Sequence, residues 1–327
     1  MVLTATVGSA EAASSGPDIH NGFAQAAGTT LGWSSPNWSG YAVSAGPYTS
    51  ASGTWVVPAV QATAKPTYSS TWVGIDDFAN SNLIQVGTAQ HYHDGAAFYS
   101  AWWEILPAVS QVIPSVPVKP GDTISATITK AGSGRWTIAL VNRTTGAGFS
   151  TTQAYAGPGA SAEWIQEAPT VSGSVSTLAR YGRTTFTATA NGRSPGFALR
   201  DGGSMVQNGA KVSVPSAPDS TRSRFTVQAT ALPGAATLAA RGLGTTKHGI
   251  QLTWKAAAAN GSPVVAYRIY RRTSATSTTR TLVATVGNVL TWTDTRNPAN
   301  RTSTYDVVAV NGVGVGRSSN RASAFSR

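Results

Sequence analysis

The chain holds only four glutamates in 327 residues, and three of them stand in two short aromatic segments. One segment is Tyr99-Ser-Ala-Trp102-Trp103-Glu104-Ile-Leu-Pro107, the other Ala162-Glu163-Trp164-Ile165-Gln166-Glu167. Glutamates needed only for solubility would be scattered over the surface. Beside tryptophan a carboxylate loses hydration and its pKa rises, a setting for proton transfer rather than for surface charge. A carboxylate can take a proton from water and return it to a leaving amine. A neutral side-chain amide can donate to the oxyanion that forms on a scissile carbonyl.

A second constellation, His91-Tyr92-His93-Asp94, has two histidines two residues apart, which share a strand face and suit zinc if a third ligand is near. The only other histidines are His20 and His248, so no metal site and no cofactor are expected. There is no Gly-x-Ser-x-Gly elbow, Walker loop or zinc-protease helix either, which leaves a Ser-His-Asp site without support.

The elements that must position the acids read as short strands separated by turn signals, with no substantial helix. Side chains at i and i+2 share a face. Trp72, Gly74 and Asp76 therefore oppose Val73 and Ile75, Gln85 opposes Ile84 and Val86, and Trp102 and Glu104 oppose Trp103 and Ile105. Glu163 and Glu167 share a face opposite Trp164, although Ile165 falls on the glutamate side. One face reads as core, the other as a polar groove lined by Trp. Trp55, Trp103 and Trp164 are assigned to the core.

With 11% charged residues, no cysteine and abundant small residues, the composition favours an all-β chain without disulfides. No apolar run approaches the ~20 residues of a membrane helix. Residues 1–36 read as a loose leader, and Ala10-Glu11-Ala12-Ala13 suits signal-peptidase cleavage. That segment is either the tail of a secretory signal or a disordered leader. From 231 onward twelve Lys/Arg face only Asp294 and Asp306, against twelve basic and eleven acidic residues before it. The asymmetry argues for two units with different surface tasks.

Residues 37–230 resemble the glutamic peptidases, or eqolisins. The resemblance lies in Asn37-Trp38-Ser-Gly-Tyr41, Ser52-Gly-Thr-Trp55-Val-Val-Pro58, Trp72-Val-Gly-Ile-Asp76, Leu83-Ile-Gln85-Val-Gly-Thr88, Tyr99-Ser-Ala-Trp102-Trp-Glu104 and Ala162-Glu-Trp-Ile-Gln-Glu167, in that order. Arg180-Tyr-Gly-Arg-Thr-Thr-Phe186 and Arg224-Phe-Thr-Val227 also fit. The resemblance implies a concanavalin-like antiparallel β-sandwich and a secreted, extracellular acid endopeptidase. Its dyad, Gln85 and Glu167, would activate a water against a polypeptide. Trp38, Trp72, Asp76, Trp102, Glu104 and Glu163 would wall the groove or orient the dyad; for Glu163 a salt bridge or a strand-end role is an equal expectation. A glutamate acting as base near its ordinary pKa of ~4.3 implies a moderately acidic optimum. The chain departs from fungal members in its nearly neutral catalytic half, in its lack of cysteine and in Ser100, where they often place an acid.

Residues 231–327 resemble a fibronectin type III domain, through Trp254, the Asn260-Gly-Ser-Pro263 turn and Tyr305. Its Arg268, Arg271, Arg272 and Arg280 suggest docking onto an anionic cell-wall or polysaccharide surface, with solubility as the plainer use of the charge. The rival reading is a carbohydrate-binding or glycan-cleaving sandwich. A Trp-lined groove suits sugars, and Glu104 and Glu167 would flank a glycosidic bond. Gln85 discriminates, since only the peptidase needs it.

Overall fold

The computed structural model describes residues 31–44, 46–244, 248–312 and 314–327. They form two compact units, the first ending at Ala229 and the second running from Thr230 to Arg327. Both are built from strands, as the turn spacing predicts.

The strands of the first unit, in chain order, are β1 (Trp33–Ser35), β2 (Trp38–Val43), β3 (Ser50–Val56), β4 (Thr67–Ile75), β5 (Ile84–His93), β6 (Ala96–Ile105), β7 (Gln111–Val112), β8 (Thr123–Gly132) and β9 (Arg135–Asn142). There follow β10 (Gly148–Ala154), β11 (Ala162–Glu167), the short hairpin β12 (Thr170–Val171) and β13 (Ser174–Val175), β14 (Arg183–Ala190), β15 (Gly202–Gln207), β16 (Ala210–Pro215) and β17 (Arg224–Ala229). All but the short hairpin join one hydrogen-bonded path, β10-β9-β8-β3-β14-β17-β16-β15-β2-β11-β4-β5-β6-β7. Its two halves face each other, because β4 and β5 pack across onto β8. The pairing is antiparallel except for β1, which adds in parallel to β15. Trp33 is buried there, so the leader read to residue 36 from its composition gives way to ordered strand by Trp33. The remainder of that expectation, and His20, lie outside the described residues.

The core between the layers takes Val73, Ile75, Ile84, Val86 and Trp164 from one side and Ile124, Ile128, Ile138 and Leu140 from the other. Alternation is strict in β9 and over residues 123–128 of β8, as expected of strands with one solvated face. Trp55 and Trp164 are core residues, while Trp103 packs half-buried at the margin. The core is not purely apolar. Thr71 donates to Gln166 (2.7 Å) and Gln90 (3.3 Å), Gln90 donates to Thr88 (2.6 Å), and the Trp55 indole reaches Thr88 (3.1 Å). This network fixes the register of β4, β5 and β11 from beneath, since a slip of one residue would leave several buried polar groups unpaired.

The second unit pairs β18 (Thr237–Gly242), β19 (Ile250–Lys255) and β22 (Thr291–Asp294) in one sheet. The other sheet has β20 (Val264–Arg272), β21 (Thr281–Gly287), β23 (Arg301–Asn311), β24 (Gly314–Ser318) and β25 (Ala322–Ser326). Trp254, Tyr267 and Tyr305 sit in its core with Leu238, Ile250 and Val307.

Candidate active site

On the face of β2, β11, β4, β5 and β6 turned away from the core, register lines up three rows. Glu163, Gly74, Gln85 and Glu104 are successive cross-strand partners. Next come Ile165, Trp72, Gly87 and Trp102, and then Glu167, Ser70, Ala89 and Ser100. Ile165, the exception to the parity pattern, packs with Trp33, Trp38, Trp72, Leu83 and Trp102 in a second apolar cluster on this face. The expected site residues Trp38, Trp72, Trp102, Gln85, Glu104, Glu163 and Glu167 thus share one sheet face.

Glu167 is held from three sides. Its Oε2 accepts from the Trp72 indole at 2.8 Å, and its Oε1 from the Trp38 indole at 3.3 Å and the Asn37 amide at 3.4 Å. Burial pushes its carboxyl up to about 8; the Trp72 and Trp38 donors pull it down, and the charges of Glu104 and Asp77 push it up further. Desolvation wins over hydrogen bonding, so the ordinary pKa assumed from sequence does not apply to the resting site. Glycine shapes the cradle, for a Cβ on Gly74 would come within 2.8 Å of the Trp72 ring and one on Gly87 within 2.3 Å of the Thr71 carbonyl oxygen. The Trp72 indole can lie along the strand only because those positions lack side chains.

Gln85 is fully buried, and its Nε2 donates to Glu104 Oε2 at 2.5 Å. The bond pins the amide and leaves Gln85 Oε1 without a partner. Glu104, within electrostatic reach of Glu167, links the glutamine and the glutamate.

Asp76 directly follows β4 and is buried by structural work. Its carboxylate accepts from the Tyr155 hydroxyl (2.7 Å), the backbone N–H groups of Gly159 (2.9 Å) and Ala160 (2.7 Å), and the Asn80 amide (2.8 Å). It ties the loop before β11 to the end of β4 and so sets where β11 begins. Burial drives Glu163 well above the ordinary carboxylate range, with the Ser161 hydroxyl and the Phe78 backbone opposing and Asp77 and Asp76 reinforcing. The salt bridge expected of Glu163 is not formed, for no cation pairs with it among the described residues.

Two residues that the sequence reading passes over belong here. Asn37 touches Glu167 and is oriented by the Ser35 hydroxyl at 2.8 Å. Asp77 is 1% exposed with neither carboxylate oxygen partnered, and burial together with Asp76 pushes it up to about 7. Both Asp76 and Asp77 have positive φ, at 73° and 81°, a conformation that costs a non-glycine residue about 1 kcal/mol or more and gathers at functional sites. The Asp76-Asp77 doublet was the available signal.

The Trp-lined groove imagined for a sugar does not exist in that form. Trp38, Trp72 and Trp102 are at most 2% exposed, so their rings cannot stack on a saccharide. Among the described residues no group of three His, Asp or Glu is disposed to hold a metal ion.

The description of the Peptidase A4 family matches residues 36–237, well over half the chain. The chain belongs to the peptidase A4 family. Aspergillopepsin-2 of Aspergillus niger is 29% identical over 198 residues, covering 52% of this chain and 70% of that protein. Scytalidopepsin B of Scytalidium lignicola is 31% identical over 111 residues, covering 34% of this chain and 41% of that one. Among solved structures, scytalido-glutamic peptidase with a transition state analog inhibitor superposes with a TM-score of 0.51 at 23% identity, over 60% of this chain and 98% of the other. That likeness speaks for the fold. This A4 member is a glutamic-type endopeptidase with polypeptides as its substrate class, on an all-β frame. No helix among the described residues is long and apolar enough to cross a membrane.

Proposed function

We propose that Gln85 and Glu167 form the catalytic dyad of a secreted acid endopeptidase. Glu167 is protonated in the dry resting site; hydrated by the entering water it ionises, takes a proton from that water and returns it to the leaving amine, while the Gln85 amide donates to the oxyanion. The observation behind this reading is the dry cradle of Trp38, Trp72 and Asn37 around Glu167, on the face where Glu104 pins Gln85. Trp38 and Trp72 orient the carboxylate, Glu104 orients the amide, and Trp102 fills the row between them. Asp76 and Glu163 act one step back, on the loops that frame the face.

The reading extends to organisation. Residues 37–230 form the peptidase domain and 231–327 a fibronectin type III domain, whose Trp254, Tyr267 and Tyr305 share one core. Of the four arginines first named for an anionic surface, Arg268 is in no ion pair among the described residues, and the other three are already paired. Arg271 pairs with Asp294, and Arg272 and Arg280 pair with Asp306, all inside the unit. Docking falls to Arg268 together with Lys255, Arg301 and Arg317, of which the last three are exposed and form no ion pair. Secretion rests on the small residues Ala10-Glu11-Ala12-Ala13, and N-terminal sequencing of protein recovered from culture medium tests it.

The decisive experiment is hydrolysis of denatured casein in mild acid with a chelator present, by wild type, Gln85→Ala and Glu167→Gln. Cleavage by wild type alone is expected. Equal cleavage by all three, or loss with the chelator and recovery with zinc, removes the dyad.

A further inference from the structure

The face that holds Gln85 and Glu167 continues beyond them. Alternation along β5 keeps Gln85, Gly87, Ala89, His91 and His93 on one side. The row containing Glu167 is otherwise made of small side chains, Ser70, Ala89 and Ser100. The next row is aromatic throughout, since Tyr68 pairs with His91 and His91 with Phe98. A step of two residues along a strand is about 6.6 Å, so the row that holds the carboxylate is followed by a wall of rings within one substrate residue's reach.

The wall is built rather than incidental. His93 lies flat on Phe98, with centroids 4.2 Å apart and planes 8° apart, and Tyr68 packs against His91 at 5.0 Å and His93 at 5.9 Å. His91 is buried at its base, both ring nitrogens without partners. Burial, with His93 adding, pulls it down to about 4, so it stays neutral in milder acid and behaves as part of an apolar floor. Above it Phe98 is 42% exposed and Tyr68 and His93 half-buried. A lone exposed phenylalanine would mean little. Tyr68, His93 and Phe98 stacked over the edge-on His91 leave an open aromatic edge that another ring can cover by stacking.

We infer that Tyr68, His91, His93 and Phe98 form a substrate subsite that takes an aromatic side chain one or two residues from the cleaved bond and thereby sets cleavage preference. The assignment rests on Glu167 as the reacting carboxyl, because the distance to the wall is counted from it. The ring stack supplies apolar area, and the small side chains of Ser70, Ala89 and Ser100 put no bulk between it and the carboxylate.

The test uses hexa-alanine peptides carrying one phenylalanine at each position in turn. Wild type should cleave one register at least about tenfold faster in kcat/KM than hexa-alanine, the scale of selectivity that apolar pockets deliver. Phe98→Ala, at an exposed site, should erase that preference; Phe98→Trp should retain it. Calorimetric binding of the same peptides to Glu167→Gln protein reads the subsite without turnover. There the phenylalanine peptide should bind more tightly, and Phe98→Ala should remove the difference. Indifference of wild type at every position, or equal losses on all peptides, overturns the subsite. Turnover by Glu167→Gln, with the binding preference intact, would instead fault the dyad and spare the subsite.

Discussion

Asp294 and Asp306 in the second unit are 2% and 1% exposed, as deeply buried as Glu167 at 2% and Asp77 at 1% in the first. Their surroundings are opposite. Asp294 meets Arg271 at 2.9 Å and the Tyr305 hydroxyl at 2.9 Å. Asp306 meets Arg272 at 2.7 Å and Arg280 at 2.5 Å, and Arg280 also lies over the Tyr270 ring. Glu167, Glu163 and Asp77 meet no cation among the described residues. Pairing lets a buried acid stay charged as a strut. Leaving it unpaired raises its pKa and keeps a proton available, the condition under which a carboxyl does chemistry.

The sharpest way to break this comparison is to remove one acid of each kind. Glu167→Gln should lower kcat/KM by about 10³ or more, and Gln85→Ala by about 10² to 10³, the usual loss for one oxyanion donor. The two losses should not add, because both groups serve one transition state. Asp306→Ala should leave kcat/KM unchanged and destabilise the second unit by about 3–5 kcal/mol, because it strands the buried Arg272 guanidinium. Peptide hydrolysis and denaturant unfolding of the three variants check both halves. Activity lost in Asp306→Ala, or kept in Glu167→Gln, would erase the distinction.

Stability against pH sharpens it further. Glu167 and Asp77 rise to about 8 and about 7, and Glu163 rises as well. Their folded forms hold protons that the unfolded chain releases above ~4.3. Their stabilisation is therefore complete in acid and lost as pH climbs through the folded values. His91, pulled down to about 4, works the other way between its folded value and ~6.5, but three acids outweigh one histidine. The melting temperature should fall from about pH 5 to about pH 8, by on the order of a few kcal/mol of stability. Glu167→Gln should flatten the fall. A stability that rises over this range would mean the acids are not protonated in the folded protein.

A smaller effect separates Asp77 from the dyad. Its charge helps to raise Glu167, so Asp77→Asn should move the limb on which the resting Glu167 carboxyl ionises, followed by infrared titration of the free enzyme, to lower pH by a fraction of a unit. The plateau rate should stay the same. A uniform loss of rate with no movement of the limb would mark Asp77 as merely structural.

Much of this was legible in the chain. Parity placed Gln85, Glu104, Trp72 and Glu167 on one face because strand alternation needs no tertiary knowledge. The pKa of Glu167 was not legible, since it depends on how completely Trp38 and Trp72 exclude water rather than on their being nearby in sequence. Nor were the roles of Asp76 and the arginines. Asp76 reads as a groove acid until its four donors from the 155–160 loop and Asn80 appear. Arg272 reads as free surface charge until β20 pairs with β23 and brings it to Asp306. Asn80 aside, the donors to Asp76 lie 79 residues or more away, and Arg272 lies 34 residues from Asp306; nothing local announces them.

The smallest expected effect concerns the charge that remains outside these pairs. Lys255, Arg301 and Arg317 are exposed and unpaired, whereas Arg271, Arg272 and Arg280 have their charge met inside the unit. An anionic polymer would therefore feel the first set. Exposed charges act over about a Debye length, ~8–10 Å at physiological salt, and each is worth ~1 kcal/mol or less. Exchanging Lys255, Arg301 and Arg317 together for glutamine should shift elution from an anionic polysaccharide column to lower salt and leave stability and peptide hydrolysis untouched. Arg271→Gln should do the reverse, costing stability through Asp294 with little change in elution. Unchanged elution in the triple variant would leave solubility as the use of the charge, and the second unit would then be a spacer.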